Sequence, residues 1–201
     1  MPLADQLDFT KNGGVVTVVA QDAVTGAVLM VAQADREAIE RTEATGEMHY
    51  RSRSRGLWHK GATSGNVQRV VSLEPDCDAD AVLARVTPAG PSCHNGTVSC
   101  FASTGTAGDV VAAVDATIQS RAMSRADGGE RPTYTQRLLA DRNLRLKKIG
   151  EEAAEFVTAC ADGEPGRATE EAADLFYHTL VALRAVGVGL DDVRAALAAR
   201  R

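Results

Sequence analysis

Residues 74–80 read Glu-Pro-Asp-Cys-Asp-Ala-Asp, a run in which hard and soft metal ligands alternate. In an extended backbone successive side chains point to opposite faces. Asp76, Asp78 and Asp80 are therefore expected on one face, with Cys77 on the other. Carboxylate oxygens suit a hard cation and a thiolate a soft one, so two different metals are implied. The segment GPSCHNGTVSC at 90–100 adds Cys93 and Cys100, with His94 adjacent. Three sulfurs without an obvious fourth protein ligand match a catalytic zinc, which keeps one position open for water, better than a closed four-cysteine site. Zinc lowers the pKa of its bound water from about 15.7 to about 7, giving hydroxide without a strong base. The cysteine spacing is not the paired CxxC of common zinc modules. By spacing alone, DCDAD is equally well read as an ordinary buried cysteine beside a solvated acidic loop.

Other residues extend the chemistry. His94 and His59 are imidazoles that titrate near neutrality and are candidates for moving a proton, although each is also suited to a structural hydrogen bond. Arg51, Arg53 and Arg55 alternate with Ser52 and Ser54, which on a strand gathers three guanidiniums on a face suited to phosphate. Lys60, Ser64 and Gly65 continue that idea, because a glycine-containing loop can turn backbone N–H groups toward phosphate oxygens. A solvated strand edge guarded by charge would have the same composition. Farther along, Glu151, Glu152 and Glu155 span about 100° of arc on a helix, with Lys147 and Lys148 just before them. Glu171, Asp174 and His178 form a stripe on a later helix whose apolar side is Phe176, Leu180 and Leu183. Two facing acidic stripes would hold a cation; a solvated face explains the same spacing.

The secondary structure that carries these groups changes character along the chain. Runs at 15–20 and 27–32 read as a hairpin turned at 22–26, followed by a helix at 36–45 with Asp35 as N-cap, Ala38 and Ile39 inward, and Gly46 as stop. Segments 48–55, 67–73 and 81–86 read as strands. The Ser-, Thr- and Gly-rich stretch 101–109 has no apolar periodicity and is the expected linker. Beyond it the pattern is helical: 110–125, 134–142, 144–161, 168–186 and 190–200, broken at Pro132, 163–166 and 187–189. The fold class is α+β in two domains, 1–107 rich in strand and 108–201 all helical. The 201 residues, 44% apolar, suffice for two small cores.

A formal charge of -5 disfavours a general nucleic-acid binder. The longest apolar runs are too short to cross a bilayer and no leader pattern opens the chain, so a cytoplasmic location with reduced thiols is expected. Cys160 lies outside every motif and is expected in the core.

The motifs SRSR at 52–55, LWHKG with TSG and Gln68 across 57–68, DCDAD at 76–80 and CHNGTVSCF at 93–101 together resemble the phosphoribosyl-AMP cyclohydrolase family over most of residues 1–105. The resemblance implies zinc on Cys77, Cys93 and Cys100, the first from one subunit and the other two from its partner, and hence a homodimer. It also implies magnesium on Asp76, Asp78 and Asp80. The chain departs from that family at Gln33-Ala34-Asp35, where Tyr-Met-Asn is usual, and at Arg51, where an aromatic residue is usual. KKIGEEAAEF at 147–156 and EEAADLFYH at 170–178, after YTQRL at 134–138, resemble the phosphoribosyl-ATP pyrophosphohydrolase family of all-α nucleotide pyrophosphatases. This second resemblance implies magnesium on Glu152, Glu155, Glu171 and Asp174, with Glu152 and Glu155 as catalytic acids. Lys147, Lys148 and Arg145 would neutralise the departing pyrophosphate.

The two resemblances occur in the order of a fused two-activity enzyme of histidine biosynthesis. They imply Zn2+ and Mg2+ as cofactors and phosphoribosyl nucleotides as substrates. Two rivals fit parts of the pattern: a general nucleotide pyrophosphohydrolase with an idle N-terminal domain, and a zinc-stapled dimeric interaction module.

Overall fold

The computed structural model describes residues 1–101, 108–124 and 131–200. Most of the stretch expected as linker, 102–107, lies outside the described residues, as does position 125 at the expected end of the first C-terminal helix. The chain forms two compact units, Met1–Val110 and Val111–Arg201.

In the first unit, six strands follow the period-two pattern: β1 (Val16–Asp22), β2 (Val28–Ala34), β3 (His49–Ser52), β4 (Gly56–His59), β5 (Gln68–Pro75) and β6 (Ala81–Pro88). They form one sheet in the order β4-β3-β2-β1-β6-β5. The β1–β6 pair is parallel and the other pairs antiparallel. The β1–β2 turn is closed by the Asp22 carboxylate, which accepts the N–H groups of Val24 and Thr25 at 2.8 and 2.9 Å. Helix α1 (Arg36–Thr45) starts where Asp35 accepts the Ala38 N–H at 2.9 Å and stops at Gly46, whose φ of 69° needs no Cβ penalty. Alternate residues Val16, Val18 and Ala20 of β1 meet Leu29, Tyr50, Val82, Val86 and Ile39 of α1 in the core. Each fully buried aliphatic side chain of this kind contributes about 1.5–3 kcal/mol.

Two expected strands are corrected. The segment 48–55 is not one strand: β3 ends at Ser52, residues 53–55 turn, and β4 returns beside it. DCDAD is not extended either, but is the turn between β5 and β6.

In the second unit, α2 (Val110–Met123), α3 (Tyr134–Ala140), α4 (Arg142–Asp162), α5 (Pro165–Ala185) and α6 (Leu190–Ala198) follow one another. Ile118, Leu138, Leu180 and Val181 make its core. The α3–α4 break falls at Asp141, whose carboxylate caps α4 through the Leu144 N–H at 3.0 Å. Arg145 donates to the carbonyls of Leu138 and Leu139 at 2.8 and 2.9 Å, so its guanidinium caps α3 and is not free for phosphate. Gly163 in the left-handed region and Pro165 at the first helical turn join α4 to α5 as an antiparallel hairpin. Two burial expectations fail. Cys160 is exposed while Ala159 is buried, and Phe176 is 63% exposed while His178, Leu180 and Val181 turn inward.

Candidate active sites

In the first unit the DCDAD turn is built by its own first acid. The Asp76 carboxylate accepts the N–H groups of Asp80 and Ala81, each at 3.1 Å, and Ala79 takes a φ of 63°. Short acidic side chains offer the backbone this local alternative to a sheet ladder, which is why the segment turns. The turn still gathers Asp76, Asp78 and Asp80, whose oxygens lie within 4.8 Å of one another. Lys11 donates to Asp78 at 2.9 Å, and that bond holds the Asp78 carboxyl below the usual carboxylate range. Cys77 is exposed on the same turn, its sulfur 4.0 Å from Asp78 Oδ1.

A cavity of about 590 Å³ opens elsewhere on the unit, lined by Ser52, Ser54, Arg55, Trp58, Lys60, Ser64, Cys93, His94 and Cys100 among others. Cys93 and Cys100 both line it, close enough for each to shift the other's titration. Their environments differ. The Asn95 backbone N–H, then the Thr97 hydroxyl, pull Cys93 below the ordinary thiol value, whereas burial first, and then Cys93, push Cys100 above it. Lys60 is 5% exposed, and its ammonium donates to the Asn66 carbonyl at 3.2 Å. Burial lowers its pKa while the two cysteines pull it back up. The loop that carries this lysine turns at Gly61, with φ +87°, where a Cβ would strike the Asn66 and Val67 backbone. His94 Nδ1 stands 3.9 Å from the Cys93 sulfur.

The three arginines do not share a face. Arg51 pairs with Asp35 at 3.2 Å, Arg53 is exposed in the β3–β4 turn, and Arg55 lies over the Trp58 ring at 5.6 Å. Only Arg55 of the three lines the cavity. The family departures at Asp35 and Arg51 thus form one ion pair, and Arg51 is also the register partner of Gln33. His59 does not line the cavity; it binds Glu47 at 2.8 Å and stacks on His49 at 4.4 Å.

Sequence reasoning assigned no role to a buried relay beneath the cavity. The Tyr50 hydroxyl donates to Gln68 Oε1 at 2.7 Å, and Gln68 Nε2 donates to the Ser92 hydroxyl at 3.1 Å. It fixes the residue that precedes Cys93. The available signal was a polar Gln at the start of a strand and a Tyr alternating with Met48, both on the inward register.

In the second unit, α4 and α5 bring Glu152, Glu155 and Glu171 together, with oxygens within 4.8 Å of one another. Glu171 raises the Glu155 carboxyl above its ordinary value, the mark of like charges that a cation would relieve. Glu152 is 6% exposed and takes Lys148 Nζ at 3.0 Å. Glu151 pairs with Lys147 at 3.1 Å and Lys148 at 3.3 Å, so both lysines are engaged on their own helix. Asp174 is exposed one turn beyond Glu171 and is not among the three converging carboxylates. His178 is 4% exposed, 3.8 Å from Glu152 through Nε2, and its Nδ1 has no hydrogen-bond partner among the described residues.

Both donor sets fit metals. Thiol groups that meet in a polar cavity suit zinc, and crowded carboxylate oxygens suit magnesium.

Two compact units, each with its own cluster of reactive side chains, define an α+β chain built for two separate activities. The comparisons say which two. A family model described as Phosphoribosyl-AMP cyclohydrolase matches residues 30–102, and one described as Phosphoribosyl-ATP pyrophosphohydrolase matches residues 116–201. The Histidine biosynthesis bifunctional protein HisIE of Parasynechococcus marenigrum is 46% identical, covering 98% of this chain and 93% of that protein. The protein of the same description from Deinococcus radiodurans is 46% identical over 97% of this chain and 92% of its own. That from Gloeobacter violaceus is 48% identical over 94% and 88%. The chain belongs to this family, a bifunctional hydrolase of histidine biosynthesis with a cyclohydrolase and a pyrophosphohydrolase domain.

Proposed function

We propose that the helical domain, 108–201, hydrolyses phosphoribosyl-ATP to phosphoribosyl-AMP and pyrophosphate, and that the β-rich domain, 1–107, then opens the adenine ring of that product by hydrolysis. The two domains act in sequence on small nucleotides in the cytoplasm; no described helix is long and apolar enough to cross a membrane.

In the β-rich domain, Cys93 and Cys100 would hold zinc with Cys77 of a second copy of the chain, and Asp76, Asp78 and Asp80 would hold magnesium. Support for the shared site comes from the split within one chain: Cys93 and Cys100 line the cavity while Cys77 sits on the β5–β6 turn and does not line it. In the helical domain, Glu152, Glu155 and Glu171, with Asp174 one turn away, would hold magnesium. When bound, zinc supplies a water acidic enough to ionise near neutrality, and magnesium neutralises triphosphate charge and activates water. The chain's own groups do the rest. Arg55, Lys60 and Ser64 offer a cation and hydrogen-bond donors to the phosphates of a nucleotide in the cavity. His94, at the cavity wall beside Cys93, is placed to move a proton at the opening ring. His59, tied to Glu47, supports the strand from which the Lys60 loop leaves.

The observation that carries this reading is that the thiol pair and the carboxylate cluster belong to different compact units. The test is to supply phosphoribosyl-ATP and follow pyrophosphate release, and in a separate assay to supply phosphoribosyl-AMP and follow the ring-opened chromophore. Cys93→Ser abolishes ring opening and spares pyrophosphate release, and Glu152→Gln does the reverse; matched losses from either change contradict two separate sites.

A further inference from the structure

Glu152 is a carboxylate buried between two helices, and its Oε1 is approached from both. Lys148 reaches it along α4 at 3.0 Å, and His178 faces it from α5 with Nε2 at 3.8 Å. The imidazole plane is fixed by its neighbours: the ring of Tyr134 meets it edge-on at 6.0 Å and that of Tyr177 at 5.2 Å. Tyr177 is itself held, its hydroxyl bonded to Thr135 Oγ1 at 2.8 Å, and Arg121 donates to the same oxygen at 2.8 Å. A histidine anchored this firmly still leaves Nδ1 buried without a partner among the described residues. A buried polar atom left unpaired is destabilising, and an apolar side chain of similar shape would fill the space without that cost. Packing therefore does not account for an imidazole here. The ring's Nε2 faces Glu152, a member of the three-carboxylate cluster.

We propose that His178 is a positioning residue of the pyrophosphohydrolase site, which presents Nε2–H to Glu152 Oε1 and so keeps that carboxylate turned toward Glu155 and Glu171. Lys148 alone would draw Oε1 along its own helix; the imidazole opposes it from the facing helix, and the carboxylate is pinned between the two. At 3.8 Å the contact is longer than a hydrogen bond, but both groups are buried, and there an N–H dipole acts on a carboxylate more strongly than it would in water. The inference rests on the reading that the acidic cluster binds a divalent cation.

The experiment uses Mn2+ as the probe on the metal-stripped full chain, with free Mn2+ followed by electron paramagnetic resonance. The difference between the wild-type chain and Glu152→Gln gives the Mn2+ held by the acidic cluster. Groups that orient a metal's direct ligands change affinity about 10- to 100-fold when removed, and His178→Leu is expected to weaken that fraction by this amount. His178→Gln, whose amide N–H extends toward the same oxygen, restores most of it, and ring opening is unchanged in both. His178→Phe serves as a second apolar variant, and thermal unfolding of each sample shows that the helical unit is intact. Wild-type Mn2+ binding in an intact His178→Leu or His178→Phe chain overturns the positioning role, as does a Gln variant that binds no better than Leu. A wild-type chain that binds no more Mn2+ than Glu152→Gln overturns the cation reading itself, and the positioning role with it.

Discussion

Cys93 and Cys100 share a cavity but sit on opposite sides of the ordinary thiol value, because Cys93 receives hydrogen bonds that favour its thiolate while Cys100 is desolvated beside it. A lowered pKa means a larger thiolate fraction at any pH below the ordinary value, and the thiolate is the form that alkylates. In metal-stripped protein, the pH profile of iodoacetamide labelling, resolved by peptide mass, should therefore have a lower midpoint for Cys93 than for Cys100. Cys93 is labelled first throughout the neutral to mildly alkaline range. Equal midpoints, or earlier labelling of Cys100, would show that the backbone N–H groups around Cys93 do not act as described. The same contrast of neighbours operates in the helical unit, where Glu155 is raised by Glu171 while Glu151 is lowered by its two lysines.

At the scale of elements, Asp35 links a helix and a strand. One oxygen caps α1 through Ala38 and the other pairs with Arg51 of β3. Because Arg51 is partly exposed, the pair contributes about 0.2–1 kcal/mol, less than the cap, which contributes about 1 kcal/mol. A double-mutant cycle of Asp35→Ala and Arg51→Ala by denaturant unfolding should show coupling in the former range, with Asp35→Ala the costlier single change. Equal costs for the two single changes would contradict that ranking. Legibility followed the reach of the interactions. The hairpin, α1 with both caps, and the helices were readable because apolar period and capping residues are local signals. DCDAD was not, because an Asp that can bond its own following N–H groups competes with the extended form, and alternation of residue types does not report which wins. The arginine face failed for a related reason: the 53–55 turn is dictated by pairing of β3 with β4 around Gly56, a tertiary outcome. Glu152, Glu155 and Glu171 came together as spacing suggested, since helical period and the α4–α5 hairpin place them. His178 was seen as part of a stripe, but its burial depends on packing against α3 and α4 that no spacing encodes.

For the whole molecule, the proposed ring-opening site is incomplete in one chain and is finished by Cys77 of a second copy. Two-fold symmetry then has a consequence that no single-chain site shares. A Cys77→Ser chain and a Cys93→Ser chain, each inactive in ring opening alone, together make mixed dimers. One of the two sites in such a dimer draws every sulfur from an unmutated position. Co-expressing the two variants and assaying ring opening should restore on the order of one quarter of wild-type activity at random pairing, with pyrophosphate release at full level throughout. No recovery of ring opening in verified mixed dimers would contradict a zinc site shared between chains.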